Sequence, residues 1–170
     1  MRAIRKVVGL TALAAAAGLA PGRMVGAPAA ELAVGTLSIT VPANPTAAAG
    51  SPVAGTVVTV NLGTTTVADS RVGSAGWTVT ADATTLSGGG HSIAKSQLSW
   101  QTKNLTATSG LLSGVSVGGG GTFGATPLVV ATAVSGAGLG TYTYTATVTL
   151  VVPANTYATS YSTTITQTAV

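Results

Sequence analysis

From Thr141 to Val152 the chain alternates, placing Tyr142, Tyr144, Ala146, Val148, Leu150 and Val152 on one side of an extended backbone and threonines on the other up to Thr149. Successive side chains of a strand point to opposite faces, so this pattern marks a long strand with one face buried. Threonine and valine favour it further, because branching at Cβ restricts χ1 in a helix. The same two-residue period recurs over 37–41, 56–62, 77–81, 98–101, 128–134 and 161–170, each stretch bounded by Gly, Pro, Asn or Ser. After residue 30 no window repeats apolar residues at helical spacing, and Ala47-Ala48-Ala49 is too short to nucleate a helix before Gly50 and Pro52. The expected fold is therefore all-β, an antiparallel β-sandwich of about seven to nine strands, Ig-like or jelly-roll-like, with a closed barrel as the alternative. Val41-Pro42-Ala43-Asn44 and Val152-Pro153-Ala154-Asn155 read as two strands that end in similar turns.

The first 29 residues read differently. Met1 to Lys6 is a basic segment, Val7 to Ala20 is an apolar run of 14 residues, and Pro21-Gly22 breaks it ahead of the small residues Gly26 to Ala30. A membrane-spanning helix needs about 20 apolar residues to cross roughly 30 Å of hydrocarbon, so the run is short for a span. Ala27-Pro28-Ala29 fits the small-residue cleavage pattern, which makes 1–29 a signal peptide cut after Ala29 and 30–170 a single exported domain. With no cysteine in the chain, a lipid anchor on a thiol is excluded and the exported domain must be held by its core alone.

Charge follows the same division. The formal net charge of +4 comes from the leader, where Arg2, Arg5, Lys6 and Arg23 lie. From residue 30 onward Arg71, Lys95 and Lys103 balance Glu31, Asp69 and Asp82. Three scattered bases make no phosphate-binding patch, so nucleic acid is not an expected partner. One histidine, three acids and no thiol leave little inventory for acid–base pairs, metal cages or nucleophile–base dyads, and neither enzyme activity nor a cofactor is expected.

Several motif matches dissolve on their context. Gly114-Val115-Ser116-Val117-Gly118 has the nucleophile-elbow spacing, but a glycine run follows Ser116 where a helix is required. Gly119 to Gly124 contains a dinucleotide-like glycine spacing, again with no helix to offer its N-terminus to a phosphate. His91, alone in a glycine-rich stretch, reads as a solvated loop histidine, and no metal site is expected. Asp69-Ser70-Arg71 and Asp82 read as turn residues with a local ion pair rather than as a calcium site. Asn104-Leu105-Thr106 is a formal glycosylation sequon in a chain with a bacterial-type leader.

Leu37-Ser38-Ile39-Thr40-Val41-Pro42, Leu62-Gly63 followed by Val67 to Arg71, Gly76-Trp77-Thr78-Val79-Thr80, Leu150 to Asn155 and Tyr161 to Thr168 occur in an order that resembles the WxL-domain family of Gram-positive surface proteins. The resemblance covers most of 35–170. It implies an exported, non-catalytic β-domain held non-covalently at the cell wall, with peptidoglycan or other surface proteins as partners. Two positions depart from the family pattern: Val79 replaces the leucine of W-x-L, and Gln167 stands where a second tryptophan is expected. Trp77, Val79, Trp100, Tyr142, Tyr144 and Tyr161 are the candidate ligand-binding residues. The alternation that carries Trp77 and Trp100 favours a place in the core over a ligand platform. An alternative function is a self-associating subunit of a surface layer or fibre, or an adhesion module, since edge strands with few charges are poorly protected against pairing.

Overall fold

A computed structural model describes residues 4–6, 35–43, 53–73 and 75–170. The apolar run of the leader and its cleavage site lie outside the described residues. The architecture is an antiparallel β-sandwich, as the alternation predicts. One sheet has the order β1-β12-β4-β10-β8, with β1 Ile4–Lys6, β12 Ile165–Ala169, β4 Trp77–Ala83, β10 Leu128–Ala133 and β8 Val115–Val117. The second runs β2-β3-β11-β7-β9, with β2 Leu37–Thr40, β3 Val57–Asp69, β11 Gly140–Val151, β7 Leu98–Ser109 and β9 Gly121–Thr122. A separate hairpin pairs β5 Leu86–Gly88 with β6 His91–Ile93.

The seven stretches read from alternation correspond to the seven strands of four or more residues, and the additional strands are pieces of two or three residues. Two strands run further than their alternation. β3 passes through a bulge at Leu62, where the register to β11 jumps from Asn61 to Gly63. Gly63 adopts a φ of 81°, and its N–H is capped by the Asn61 side chain at 2.8 Å. This is the backbone geometry a bulge asks of glycine. β7 passes through a second irregularity at Asn104, the one non-glycine residue with positive φ among the described residues, whose amide donates to Thr145 Oγ1 at 3.1 Å.

The two inner faces are complementary in size. The β11 and β7 sheet contributes Tyr142, Tyr144, Leu150, Leu98 and Trp100, whereas the opposing sheet offers Ala81, Ala83, Ala131, Ala133 and Ala169 among its buried positions. Small residues opposite large ones let the two faces interdigitate at the density of a protein interior. Burying this apolar surface is the main favourable term holding a cysteine-free domain together. Outward positions of β11 are threonines, several of them in cross-strand contact: Thr106 and Thr143 hydroxyls lie 2.6 Å apart.

Polar groups inside the sandwich are satisfied. Tyr144 Oη donates to Gln167 Oε1 at 2.6 Å, and Gln167 Nε2 donates to Thr65 Oγ1 at 3.2 Å, so one amide ties β11, β3 and β12 together across the two sheets. At the end of β3 the buried Asp69 carboxylate accepts from Arg71 Nε and a second guanidinium nitrogen, each at 2.9 Å, and from the Arg71 backbone N–H at 3.0 Å. The same guanidinium donates to the Gly76 carbonyl, which fixes the β3–β4 turn.

Candidate functional site

Five of the six candidate ligand-binding residues are interior. Trp77, Val79, Trp100, Tyr142 and Tyr144 are each no more than 3% exposed. Trp77 packs against Tyr142 with ring centroids 5.8 Å apart and donates its indole N–H to the Gly138 carbonyl at 3.0 Å. Trp100 meets Phe123 edge to face at 6.2 Å and donates to Thr102 Oγ1 at 2.7 Å. The Tyr142 hydroxyl reaches the carbonyls of Leu139 and Leu111 at 2.9 and 3.0 Å, sharing its single hydrogen between two loops. Burial leaves these side chains no face to offer a ligand and the polar atoms of the four rings already have partners, so all five serve packing, as the alternation favours for Trp77 and Trp100. Tyr161 is the exception, half-buried at the wall of a surface cleft.

That cleft, of about 400 Å³, lies between the β5–β6 hairpin and the loop that leaves β11. On one side are Gly90, His91, Ser92 and Ile93, and on the other Pro153, Asn155, Thr156, Tyr157 and Tyr161. The His91 and Tyr157 rings are stacked with centroids 3.8 Å apart and planes 10° from parallel. Tyr157 is 65% exposed, so its ring meets the histidine on one face while much of its surface stays open to solvent. Two aromatic rings facing solvent at a concave site differ from every other large ring described, all of which are buried or half-buried.

The local sequence explains how the rings meet. Pro153 ends the β11 ladder, and a turn follows in which the Thr156 N–H and hydroxyl both donate to the Pro153 carbonyl, at 3.1 and 2.7 Å. That turn presents Tyr157. Opposite it, Gly89 and Gly90 make the hairpin tip that carries His91. The hairpin is tied to the loop by a two-way bridge, Ser87 N–H to Ser162 O at 2.9 Å and Ser162 N–H to Ser87 O at 3.0 Å. At Gly88 a Cβ would collide with the Ser160 carbonyl oxygen, so the close approach requires glycine. Below the hairpin, Lys95 Nζ donates to Asp82 Oδ1 at 2.8 Å, which holds the Asp82 carboxyl below its ordinary range.

None of the cleft-lining residues is acidic, lysine or arginine. Its polar side chains are the Asn155 amide, the Ser92 and Thr156 hydroxyls, the Tyr157 and Tyr161 phenols and the His91 imidazole. Ser116, by contrast, sits within strand β8 with its hydroxyl 3.1 Å from Thr132 Oγ1, not at a strand-to-helix elbow. Both Asp69 and Asp82 are engaged by neighbouring bases, and among the described residues no group of three or more His, Cys, Asp or Glu could hold a metal ion. No helix among the described residues is long and apolar enough to cross a membrane.

The sequence reading placed His91 in a loop, whereas it opens strand β6 beside the hairpin turn, and it did not pair His91 with Tyr157. The available signal was Tyr157 itself, an aromatic in a Pro/Asn/Ser/Thr loop with no alternating apolar neighbours to bury it. An aromatic without a periodic apolar partner set is a candidate for exposure. Comparison of the chain with protein-family models, curated proteins and solved structures returns no match.

Proposed function

We propose that this chain is an exported, non-catalytic surface module that associates non-covalently with the cell wall, holding a neutral glycan segment of peptidoglycan in the His91–Tyr157 cleft. The observation that carries this reading is the solvent-facing stack of His91 on Tyr157 beside Asn155, Thr156 and Ser92. A pyranose ring has an apolar C–H face that packs on an aromatic ring, and hydroxyls around its rim that pair with amides and hydroxyls. The cleft offers both, within the volume range of small-ligand sites. The absence of acidic, lysine and arginine side chains at its wall suits an uncharged sugar better than a phosphate or a metal-bound substrate. The leader pattern and the resemblance to WxL-domain proteins support the cell surface as the place of action.

Co-sedimentation with purified peptidoglycan tests the proposal. Saturable binding is expected for the wild type. Tyr157→Ala should weaken it by up to about tenfold, the effect of losing an aromatic contact of about 0.5–1.5 kcal/mol. Full binding by folded Tyr157→Ala and His91→Ala variants would remove the cleft as the site, and no binding by the wild type would remove wall attachment as this chain's own activity.

A further inference from the structure

We propose that removal of the leader converts the outer edge of β12 into a self-pairing edge, so that two copies of the processed chain join β12 to β12 in an antiparallel dimer. The inference rests on the leader cleavage invoked above. Its starting point is which backbone groups of β12 are already used.

Val170 and Thr78 exchange both backbone hydrogen bonds, at 2.9 and 3.0 Å, and Thr84 N–H donates to Thr164 O at 3.0 Å. In an antiparallel ladder the groups that bond one neighbour alternate with those that face the other side. Residues 164, 166, 168 and 170 therefore bond β4, and Ile165, Gln167 and Ala169 turn their N–H and C=O groups to the outer edge. In the full chain β1 occupies this edge antiparallel, with Lys6 opposite Gln167 and Ile4 opposite Ala169. Ile4–Lys6 belongs to the segment read as a leader. Cutting after Ala29 leaves that strand without a covalent tie to the domain and the β12 edge without its partner.

The edge so exposed has none of the usual protections. Ile-Thr-Gln-Thr-Ala contains no charge and no proline, and its register to β4 is continuous. The other edges are shorter, broken or charged: β8 and β9 have three and two residues, β2 has four, the stretch of β3 beyond β2 is kinked by the Leu62–Gly63 bulge, and the stretch of β7 beyond β9 carries Lys103 and is broken by the register shift at Asn104. An antiparallel strand pairs with its own copy by a two-fold axis, and centring it on Gln167 sets Gln167 opposite its mate and Ile165 opposite the second copy's Ala169. The outward side chains of Thr166 and Thr168 then face one another across the junction, a favourable cross-strand pair of β-branched hydroxyls. The result is a continuous eight-stranded sheet with no β12 edge left open.

The test uses the full chain with a specific protease site placed between residues 29 and 30. Molar mass is measured by light scattering before and after the cut, and mass spectrometry follows the leader peptide. The uncut chain should be a monomer. After the cut the peptide should leave and the mass should double. Thr166→Lys with Thr168→Lys sets like charges opposite each other in the dimer and should keep the cut chain monomeric. Thr166→Lys with Thr168→Glu sets opposite charges there and should restore the dimer. A cut wild type that stays monomeric, a leader peptide that stays bound, or a dimer indifferent to the two lysines would overturn the proposal. N-terminal sequencing of the protein from an exporting host reports separately on the leader, so failure of cleavage in the cell is distinguished from failure of the edge to pair.

Discussion

The Tyr144 hydroxyl donates to the Gln167 side-chain carbonyl at 2.6 Å, and through this bond the centre of one sheet is fastened to a strand of the other. Both residues are nearly inaccessible, and Gln167 extends the contact to Thr65. Gln167 serves as a polar tie across the core.

Replacing Gln167 by leucine should destabilise the domain by about 1–3 kcal/mol, because the buried hydroxyls of Tyr144 and Thr65 lose their partner. Tyr144→Phe removes one bond and leaves Gln167 paired with Thr65, so its cost should be about 1 kcal/mol. Urea unfolding of both single variants and the double variant measures this. A double variant less destabilised than the sum of the singles is expected for two residues in one network.

The same burial sets an alkaline limit. Desolvation raises the Tyr144 pKa well above the ordinary 10.0, an effect that the neighbouring Thr65 hydroxyl opposes without overcoming. The folded state holds this proton more tightly than the unfolded chain, so the stability it confers is complete below pH 10 and declines as pH rises from the unfolded value toward the folded one. Stability should fall more steeply above pH 10 in the wild type than in Tyr144→Phe, as read from urea midpoints at a series of alkaline pH values.

Asp69 sets the acid limit. Burial pushes its carboxyl pKa up, but the side-chain and backbone hydrogen bonds from Arg71 and the charge of that guanidinium outweigh burial and hold it below 3.8. Its contribution is present above the unfolded value and lost as pH falls through the folded one. Asp69→Asn should cost about 2–3 kcal/mol at neutral pH, less than a fully buried broken pair because Arg71 reaches solvent. It should also flatten the acid limb of the stability profile, which thermal unfolding between neutral pH and pH 2 would show.

The sequence carried the framework and not the cleft, for a physical reason. Alternation is a property of one strand, so the seven longer strands and the inward positions of Trp77 and Trp100 were legible in the spacing, whereas it left Tyr142 and Tyr144 open between core and ligand platform. A bulge inserts a residue and reverses the alternation, so β3 beyond Leu62 escaped the pattern, while β7 runs on past Gln101 through polar residues and the irregularity at Asn104. The stack of His91 on Tyr157 joins residues 66 positions apart, one opening strand β6 and the other in the loop after β11, held there by the Ser87–Ser162 bridge and by the space left at Gly88. No periodicity encodes such a meeting.

Trp100→Ala separates packing from binding. Removal of a buried indole should cost about 3–5 kcal/mol of stability. At temperatures where the variant remains folded, its affinity for peptidoglycan should equal that of the wild type, because Trp100 lies inside the sandwich. Denaturation curves alongside co-sedimentation of the same preparations provide the check.

The most direct measurement is a titration of isotope-labelled protein with soluble peptidoglycan fragments, followed by amide and side-chain NMR shifts. Shifts should concentrate at His91, Ser92, Asn155, Thr156, Tyr157 and Tyr161, while the indole N–H signals of Trp77 and Trp100 stay in place. Shifts centred on another face of the sandwich, or no shifts at saturating fragment, would contradict a glycan site in the His91–Tyr157 cleft.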